Sequence, residues 1–145
     1  PALVSWFDQQ KRGPLPRRIS VVRDATHLTR FHWVRIDATD QIAAFSENLI
    51  DSRDEFITGK VYAKLEAELT EANHFVVTTD LVRRYTLSLN DDLIDFTQPV
   101  TIETNGHVSF KGRVTPTLDT LLREARRRQD SRRLFAAQLT IDVPR

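Results

Sequence analysis

The 145-residue chain contains no cysteine and no methionine. The absence of cysteine excludes disulfide bonds, thiolate catalysis and cysteine-ligated zinc. Because methionine is missing even at position 1, we expect the chain to be a matured product or a domain of a longer protein. Any functional hypothesis must therefore consider a companion domain.

Long apolar runs and a charge excess are also lacking. No run approaches the ~20 apolar residues that a membrane-spanning helix needs, and the first residues, PALVSWFDQQKRG, do not have the pattern of a signal peptide. A net charge of +1 is too small to indicate a domain-wide nucleic-acid or membrane footprint. The composition is typical of one soluble globular domain, and both an exported and a cytoplasmic location stay open.

The N-terminal segment differs in pattern from the rest of the chain. Leu3, Val4 and Phe7 lie three to four positions apart, which predicts a short N-terminal helix. The stretch KRGPLPRR follows it, and its glycine and prolines end any helix there. We predict that residues 1–17 are the end of a preceding helix plus a linker, or a helix that packs back, and that residues 18–145 form a β-sandwich domain.

A period of two begins near residue 18 and indicates β-strands. In KVYAKLEAEL, residues 60–69, apolar and polar side chains alternate strictly, whereas a helix would spread the same apolar positions around its circumference. Strands are predicted at 18–22, 31–36, 60–69, 74–79, 84–89, 100–104, 107–114 and 134–143. The expected fold is mainly β, an antiparallel β-sandwich of about eight strands.

One helix interrupts the strands. The i, i+3, i+4, i+7 spacing of four apolar residues predicts a helix near 117–128 with one apolar stripe, and Thr115 is expected to cap it. The members of the stripe are Leu118, Leu121, Leu122 and Ala125.

The register of one hairpin can be predicted as well. A two-residue type I′ turn at Asn105-Gly106 would place Val108 opposite Glu103. A three-residue loop would instead place Val108 opposite Ile102, with Gly106 in the left-handed conformation, and would give one wholly apolar face. Because a one-residue slip would move the apolar set into water, we predict the longer loop.

The stretch NDDLIDF, residues 90–96, is the first candidate for chemistry. A calcium loop needs oxygen ligands at alternate positions and a glycine at its sharp turn, but here the glycine is absent and apolar residues occupy ligand positions. Nothing separates the pKa values of a catalytic carboxylate pair. We predict a turn in which Asn90 and Asp91 bond the backbone, with Leu93 and Phe96 in the core.

The four histidines show no H-x-H or H-x-x-x-H spacing, and no G-x-S-x-G elbow is present. They are His27, His32, His74 and His107. Solvent-exposed positions are predicted for His74, which follows a probable turn, and for His107, which starts a hairpin strand. A Ser-His-Asp triad brought together by folding stays an open alternative, but we predict no catalytic residue, metal or cofactor in this chain.

Two groups of residues are candidates for a binding surface. The first is REARRRQDSRR, residues 123–133, in which Arg123, Arg126 and Arg127 would track phosphates or contact an acidic partner domain; we favour a solvated helix face that suits the helix dipole. The second is Trp33, which with neighbouring aromatic residues would stack sugar rings or fill the core. We favour core packing.

Several motifs together resemble the C-terminal β domain that follows the catalytic domain in some bacterial α/β-hydrolase-type esterases and peptidases. They are the basic, proline-containing linker, the RFHW strand, the strand-turn LSLND, the NG hairpin and the helix pattern TL..LL. Residues 40–72 add little to the resemblance. The catalytic serine, acid and histidine of that family belong to the hydrolase domain, so none maps onto this chain.

The resemblance implies a non-catalytic accessory domain that packs on the preceding catalytic domain and shapes stability or substrate access. A carbohydrate- or anionic-partner-binding β module is the alternative, and a small hydrolase with an unrecognised site is the second alternative.

Overall fold

A computed structural model describes residues 13–23, 29–40, 62–128 and 134–144. This part of the chain is mainly β, as predicted. The predicted N-terminal helix lies outside the described residues. The elements in chain order are β1 (Arg18–Arg23), β2 (Thr29–Phe31), β3 (Val34–Thr39), β4 (Ala63–Glu71), β5 (His74–Asp80), β6 (Val82–Leu89), β7 (Val100–Thr104), β8 (His107–Gly112), α1 (Leu118–Arg128) and β9 (Ala137–Asp142).

The strands form two sheets that pack as a sandwich. The first has the order β1-β4-β5-β7-β8 and the second has the order β2-β3-β6-β9. Neighbouring strands are antiparallel except β5 and β7, which are parallel. β6 lies between these two strands in the chain but belongs to the other sheet, so β7 does not return as the hairpin partner of β5.

The core lies between the two sheets and results from the alternation seen in the sequence. On β4 the side chains of Ala63, Leu65, Ala67 and Leu69 are buried and the intervening ones are at least partly exposed. The strand prediction for this segment is confirmed over its described residues. Inward residues of both sheets join one continuous apolar cluster, which removes the apolar side of every long strand from water.

One polar bridge crosses this apolar interior. The Tyr85 hydroxyl from β6 and the Thr104 hydroxyl from β7 are 2.6 Å apart, and both side chains are buried. Burial raises the pKa of Tyr85 to about 12, opposed by the hydrogen bond to Thr104. The pair links the two sheets and satisfies two hydroxyl groups that would otherwise be costly to bury.

The segment 31–36 was predicted as one strand, and that prediction is wrong. His32 and Trp33 form a turn, with His32 at φ 51°, and the chain reverses so that Phe31 pairs with Val34 across an antiparallel hairpin. Two-residue turns with positive φ join antiparallel strands readily. The aromatic residues of this segment made the turn hard to predict from the sequence, because they are typical of strand interiors.

The β7–β8 hairpin corrects the predicted three-residue loop. Asn105 and Gly106 have φ values of 50° and 81°, and Glu103 pairs with Val108. Gly106 is left-handed, as expected. Both central residues have positive φ, however, which makes the turn a two-residue type I′ turn whose twist matches the flanking strands.

A β-bulge then restores the apolar face that the longer loop was meant to provide. The register shifts between Ile102 and Glu103, so that Ser109 is the extra residue of β8 and Ile102 pairs with Phe110. Ile102 is buried and Phe110 packs against the core, whereas Val108 is 60% exposed. One inserted residue moves the following side chains to the opposite face.

Candidate interaction surface

The stretch NDDLIDF forms a turn after β6, which confirms the predicted connector. The Asn90 side chain does not bond the backbone as predicted, because its buried Oδ1 has no hydrogen-bond partner within the described part of the chain. The backbone N–H groups of Leu93 and Ile94 both donate to the Asn90 carbonyl, at 3.1 Å each. Leu93 and Ile94 are buried at the end of the core, while Asp91 and Asp92 are exposed. The aspartates face water because the apolar pair faces inward.

The third aspartate of this stretch is committed to the turn. The Asp95 carboxylate accepts hydrogen bonds from the hydroxyl and the N–H of Thr97, at 2.6 and 2.8 Å, and these bonds lower the pKa of Asp95. Asn73, which is buried, donates to the Asp95 carbonyl and accepts from its N–H, both at 2.7 Å. Asn73 thus ties the loop to the β4–β5 turn.

The described histidines lie at strand ends and turns. His74 Nε2 is 3.1 Å from Glu103 Oε1 on the neighbouring parallel strand, and His107 Nδ1 is 3.2 Å from the Asn105 carbonyl. His27 lies outside the described residues. Within the ranges that the structure describes, no group of three or more histidine, aspartate or glutamate side chains is placed to hold a metal ion.

Trp33 belongs to the core. Its side chain is 0% exposed, its Nε1 donates to the Pro16 carbonyl at 2.8 Å, and its ring meets Phe75 edge-on with the centroids 5.4 Å apart. A sugar ring cannot stack on a buried indole, so the core alternative applies to this residue. The bond to Pro16 also fixes the segment that leads into β1.

Helix α1 begins two residues later than its predicted cap implies. The Thr117 hydroxyl, not that of Thr115, accepts from the Thr120 N–H at 3.2 Å, and the Thr117 carbonyl accepts from the Leu121 N–H at 3.1 Å. Thr117 is therefore the N-cap, and Asp119 in the first turn suits the helix dipole.

The residue that α1 buries most deeply is a glutamate, and the sequence interpretation missed it. Glu124 is 1% exposed. Arg30 Nη1 donates to its two carboxylate oxygens at 2.9 and 3.2 Å, and Gln138 Nε2 donates to Oε1 at 2.8 Å. Arg30 lies on β2 and Gln138 on β9, which are the two edge strands of the second sheet.

The sheet beneath the helix explains this orientation. Thr86 and Ser88 alternate on β6 with the inward Tyr85, Leu87 and Leu89 and so face outward, yet Thr86 and Ser88 are buried. The outer face of the second sheet is therefore polar where it is covered, and a polar helix side fits it. The sequence did contain a signal for this orientation of the helix. It is a polar stripe, because the spacing of three residues puts them on one helix face: Thr117, Thr120 and Glu124.

The predicted apolar stripe of α1 is present, but half of it faces away from the domain. Leu118 is 69% exposed and Leu122 is 56% exposed, while Leu121 and Ala125 are partly buried. The four residues lie on one side of the helix, as their spacing requires. That side starts at the edge of the contact with the sheet and continues towards solvent, because Glu124 occupies the position that faces the sheet.

Beside the leucines lie the arginines that the sequence singled out. Arg123 forms an ion pair with Asp119 one turn earlier. Arg126 and Arg127 are exposed, and within the described ranges neither has a hydrogen bond or an ion pair. The side chain of Arg128, like all of Arg132 and Arg133, lies outside the described part. We call the set Leu118, Leu122, Arg123, Arg126 and Arg127 the α1 outer face.

A cleft at the end of both sheets is another concave feature with charged groups, and it also contains a residue with a strained backbone. Arg83 pairs with Asp40, and Arg84 pairs with Asp142 at 2.6 Å, which raises the pKa of Arg84. Leu81 in this cleft has φ 56°, a conformation that costs a leucine roughly 1–2 kcal/mol. Because each of these arginines is already paired with an aspartate, they have less charge to offer a partner than the arginines of the α1 outer face. The α1 outer face is therefore the stronger candidate.

Comparison with known proteins gave no match to a protein-family model, a curated protein or a solved structure. The motif resemblance to hydrolase accessory domains therefore stays a prediction. Among the described residues, no helix has the length and apolar character needed to cross a bilayer.

Proposed function

We propose that this chain is a non-catalytic accessory β domain that packs on a companion catalytic domain. The motif resemblance favours an esterase- or peptidase-like hydrolase as that companion, with the β domain contributing stability or shaping substrate access. The observation that carries the proposal is the α1 outer face, where two leucines stand in water beside arginines.

The arrangement of α1 is the reverse of what an isolated domain favours. A surface helix normally turns its apolar stripe to the core and its charges to water. Here a glutamate is buried, and Leu118 and Leu122, one turn apart, are largely exposed. Fully burying a leucine is worth about 1.5–3 kcal/mol, so covering this pair gives a docking partner a substantial gain.

The face is also held in place before any partner arrives. Arg30 and Gln138 fix Glu124 from the two edges of the second sheet, and this fixes the rotation of α1. A preformed surface loses less conformational entropy on binding than a mobile one. Arginine beside apolar side chains is, moreover, a composition enriched in protein interfaces.

The alternatives have less support. A polysaccharide-binding module would need an exposed aromatic platform, and the residue proposed for it, Trp33, is buried. Binding of an anionic partner through Arg123, Arg126 and Arg127 uses the α1 outer face itself and so becomes part of the docking proposal.

Reconstitution tests the proposal. The catalytic domain encoded beside this chain in its gene is produced separately and titrated with the chain by calorimetry. We expect binding, and we expect Leu122→Asp to weaken it at least about tenfold. Val22→Asp is the matched control, because Val22 is 50% exposed on β1 in the other sheet.

Three results would overturn the proposal. The first is that the gene encodes no catalytic domain beside this chain, or that the two parts do not bind. The second is that Val22→Asp weakens binding as much as Leu122→Asp does. The third is hydrolysis of model esters or peptides by the chain alone at a rate that one substitution abolishes.

A further inference from the structure

The α1 outer face presents an apolar stripe and a cationic stripe side by side. At about 100° per residue, Leu118 and Leu122 share one side of the helix, Arg126 lies next to them, and Arg123 and Arg127 lie beyond. A shallow concavity runs between the two stripes and is lined by Asp119, Leu122, Arg123, Ala125, Arg126 and Arg127.

The charges on this face are only partly compensated. Asp119 neutralises Arg123, but Arg126 and Arg127 make no hydrogen bond or ion pair with any described residue. A guanidinium group binds a carboxylate with two parallel hydrogen bonds, and it is more weakly hydrated than an ammonium group. Arg126, next to the exposed leucines, and Arg127, further round the helix, match a surface that offers carboxylates next to aliphatic side chains.

We infer that the α1 outer face binds an acidic amphipathic segment of a partner protein, whose aliphatic side chains cover Leu118 and Leu122 while its carboxylates pair with Arg126 and Arg127. This inference rests on the proposed docking function and adds the chemistry of the partner surface.

A second copy of the chain fits this face poorly. A two-fold dimer is isologous, so the same patch meets itself. When the leucines of two copies meet, the Arg126 side chains next to them are brought towards each other, and like charges repel over the Debye length of about 8 Å at physiological salt. Asp119 cannot offset this repulsion, since it already pairs with Arg123.

An anionic membrane or a nucleic acid fits less well than an acidic protein segment. Two partly exposed leucines bring less apolar surface than one myristoyl chain, which by itself gives only marginal membrane binding of about 10⁴ M⁻¹. A phosphate backbone is tracked by a continuous row of cations, but the row here is short, and Asp119 neutralises one of its members, Arg123.

The test uses a synthetic helical peptide that has leucines along one side and glutamates on both flanks, with a fluorescent label. A second peptide replaces every glutamate with lysine. We expect the chain to bind the glutamate peptide, to bind it more weakly as salt is raised, and not to bind the lysine peptide. The double variant Arg126→Glu with Arg127→Glu should weaken binding by at least about tenfold, and Leu122→Ala by roughly fivefold.

Lys111→Glu serves as the control for charge, because Lys111 is exposed on β8 in the other sheet. It changes the net charge as each arginine reversal does and should leave peptide binding unchanged. Thermal unfolding of each variant shows whether it is folded, and Leu122→Ala keeps the test informative if the double reversal is not.

The inference is overturned if the lysine peptide binds equally well, if Lys111→Glu weakens binding as much as Arg126→Glu alone, or if the chain prefers phosphatidylglycerol vesicles to the glutamate peptide. It also fails if the companion catalytic domain binds the double arginine variant as tightly as the unchanged chain. That last result would leave the docking function intact, so the two proposals fail separately.

Discussion

The sheet–sheet interface and the helix–sheet interface of this protein are built on opposite plans. Between the sheets, inward apolar side chains from both layers form one cluster, and the polar contact that bridges it is a bond between two hydroxyl groups, those of Tyr85 and Thr104. Under α1 a carboxylate is buried and held by Arg30 and Gln138, while leucines of the same helix remain in water.

The difference teaches when an apolar pattern determines orientation. A strand in a sandwich has one side that reaches the core, and a one-residue slip would expose every apolar side chain at once. A helix on the outside of a sheet can rotate, and its orientation depends on the surface beneath it. Because Thr86 and Ser88 make the sheet surface on the side of α1 polar, the polar stripe of the helix faces the sheet.

Truncating the largest core side chain should give the greatest effect and would test the apolar plan. Trp33→Ala is expected to lower the free energy of unfolding by about 3–5 kcal/mol, because it opens a cavity and removes the bond to the Pro16 carbonyl. Phe31→Ala, at a side chain 49% exposed, should cost far less. Urea unfolding followed by circular dichroism measures both, and equal losses would contradict the assignment of Trp33 to the core.

Breaking the buried ion pair tests the other plan. Glu124→Ala should lower the free energy of unfolding by about 2–3 kcal/mol, below the usual figure for a buried pair because the Arg30 side chain is 20% exposed. The double variant Arg30→Met with Glu124→Leu should recover most of the loss, since it removes both charges of this pair. A double-mutant cycle in urea checks this, and additive losses would show that the pair does not couple.

Alkaline pH should weaken the interface between the sheets through Tyr85. Its pKa of about 12 in the folded chain lies above the unfolded value of about 10. Its contribution is therefore fully present below pH ~10 and is lost at about 1.4 kcal/mol per pH unit as the pH rises towards ~12. Unfolding curves across this range measure the slope, and Tyr85→Phe should lack this component.

Removing the cross-sheet bond at neutral pH should have a smaller effect. Tyr85→Phe leaves the buried Thr104 hydroxyl without its 2.6 Å partner, which should cost about 1–2 kcal/mol. Replacing both residues, as Tyr85→Phe with Thr104→Val, should cost less than the sum of the single changes. Thermal unfolding of the three variants tests this, and a neutral single substitution would mean that the bond contributes nothing net.

The smallest effect is expected at the α1 outer face. Leu118→Gln and Leu122→Gln should each change the free energy of unfolding by less than about 0.5 kcal/mol, because both side chains are largely exposed. Leu87→Ala, in the core, should cost about 2–5 kcal/mol. If either glutamine variant destabilises the chain as much as Leu87→Ala does, the leucines pack on the domain and the docking proposal fails.

Much of the strand content could be predicted, because alternation is a local signal. The strand Ala63–Glu71 follows from its side-chain period, and the turn at 90–96 follows from its cluster of turn-forming polar residues after a strand. The turn at His32-Trp33 could not be predicted, since its residues favour strands. The hairpin at Asn105-Gly106 was mispredicted because the bulge at Ser109 makes the two-residue turn compatible with an apolar face.

The candidate site could be predicted only in part. The sequence correctly marked Arg123, Arg126 and Arg127 as an exposed helix face, but the apolar spacing did not reveal that Leu118 and Leu122 are exposed. Their exposure depends on Glu124 and on side chains from β2 and β9, which are far away along the chain. No periodicity within the helix contains that information.

By itself, the sequence determined that the described part of this chain is a two-layered β structure with a late helix, because alternating side chains give each strand one apolar side that must leave water. Tertiary structure alone decided which side of α1 faces the domain. That choice depends on the polarity of a sheet surface assembled from distant strands, and on a carboxylate that is tolerable in the interior only where Arg30 and Gln138 meet it.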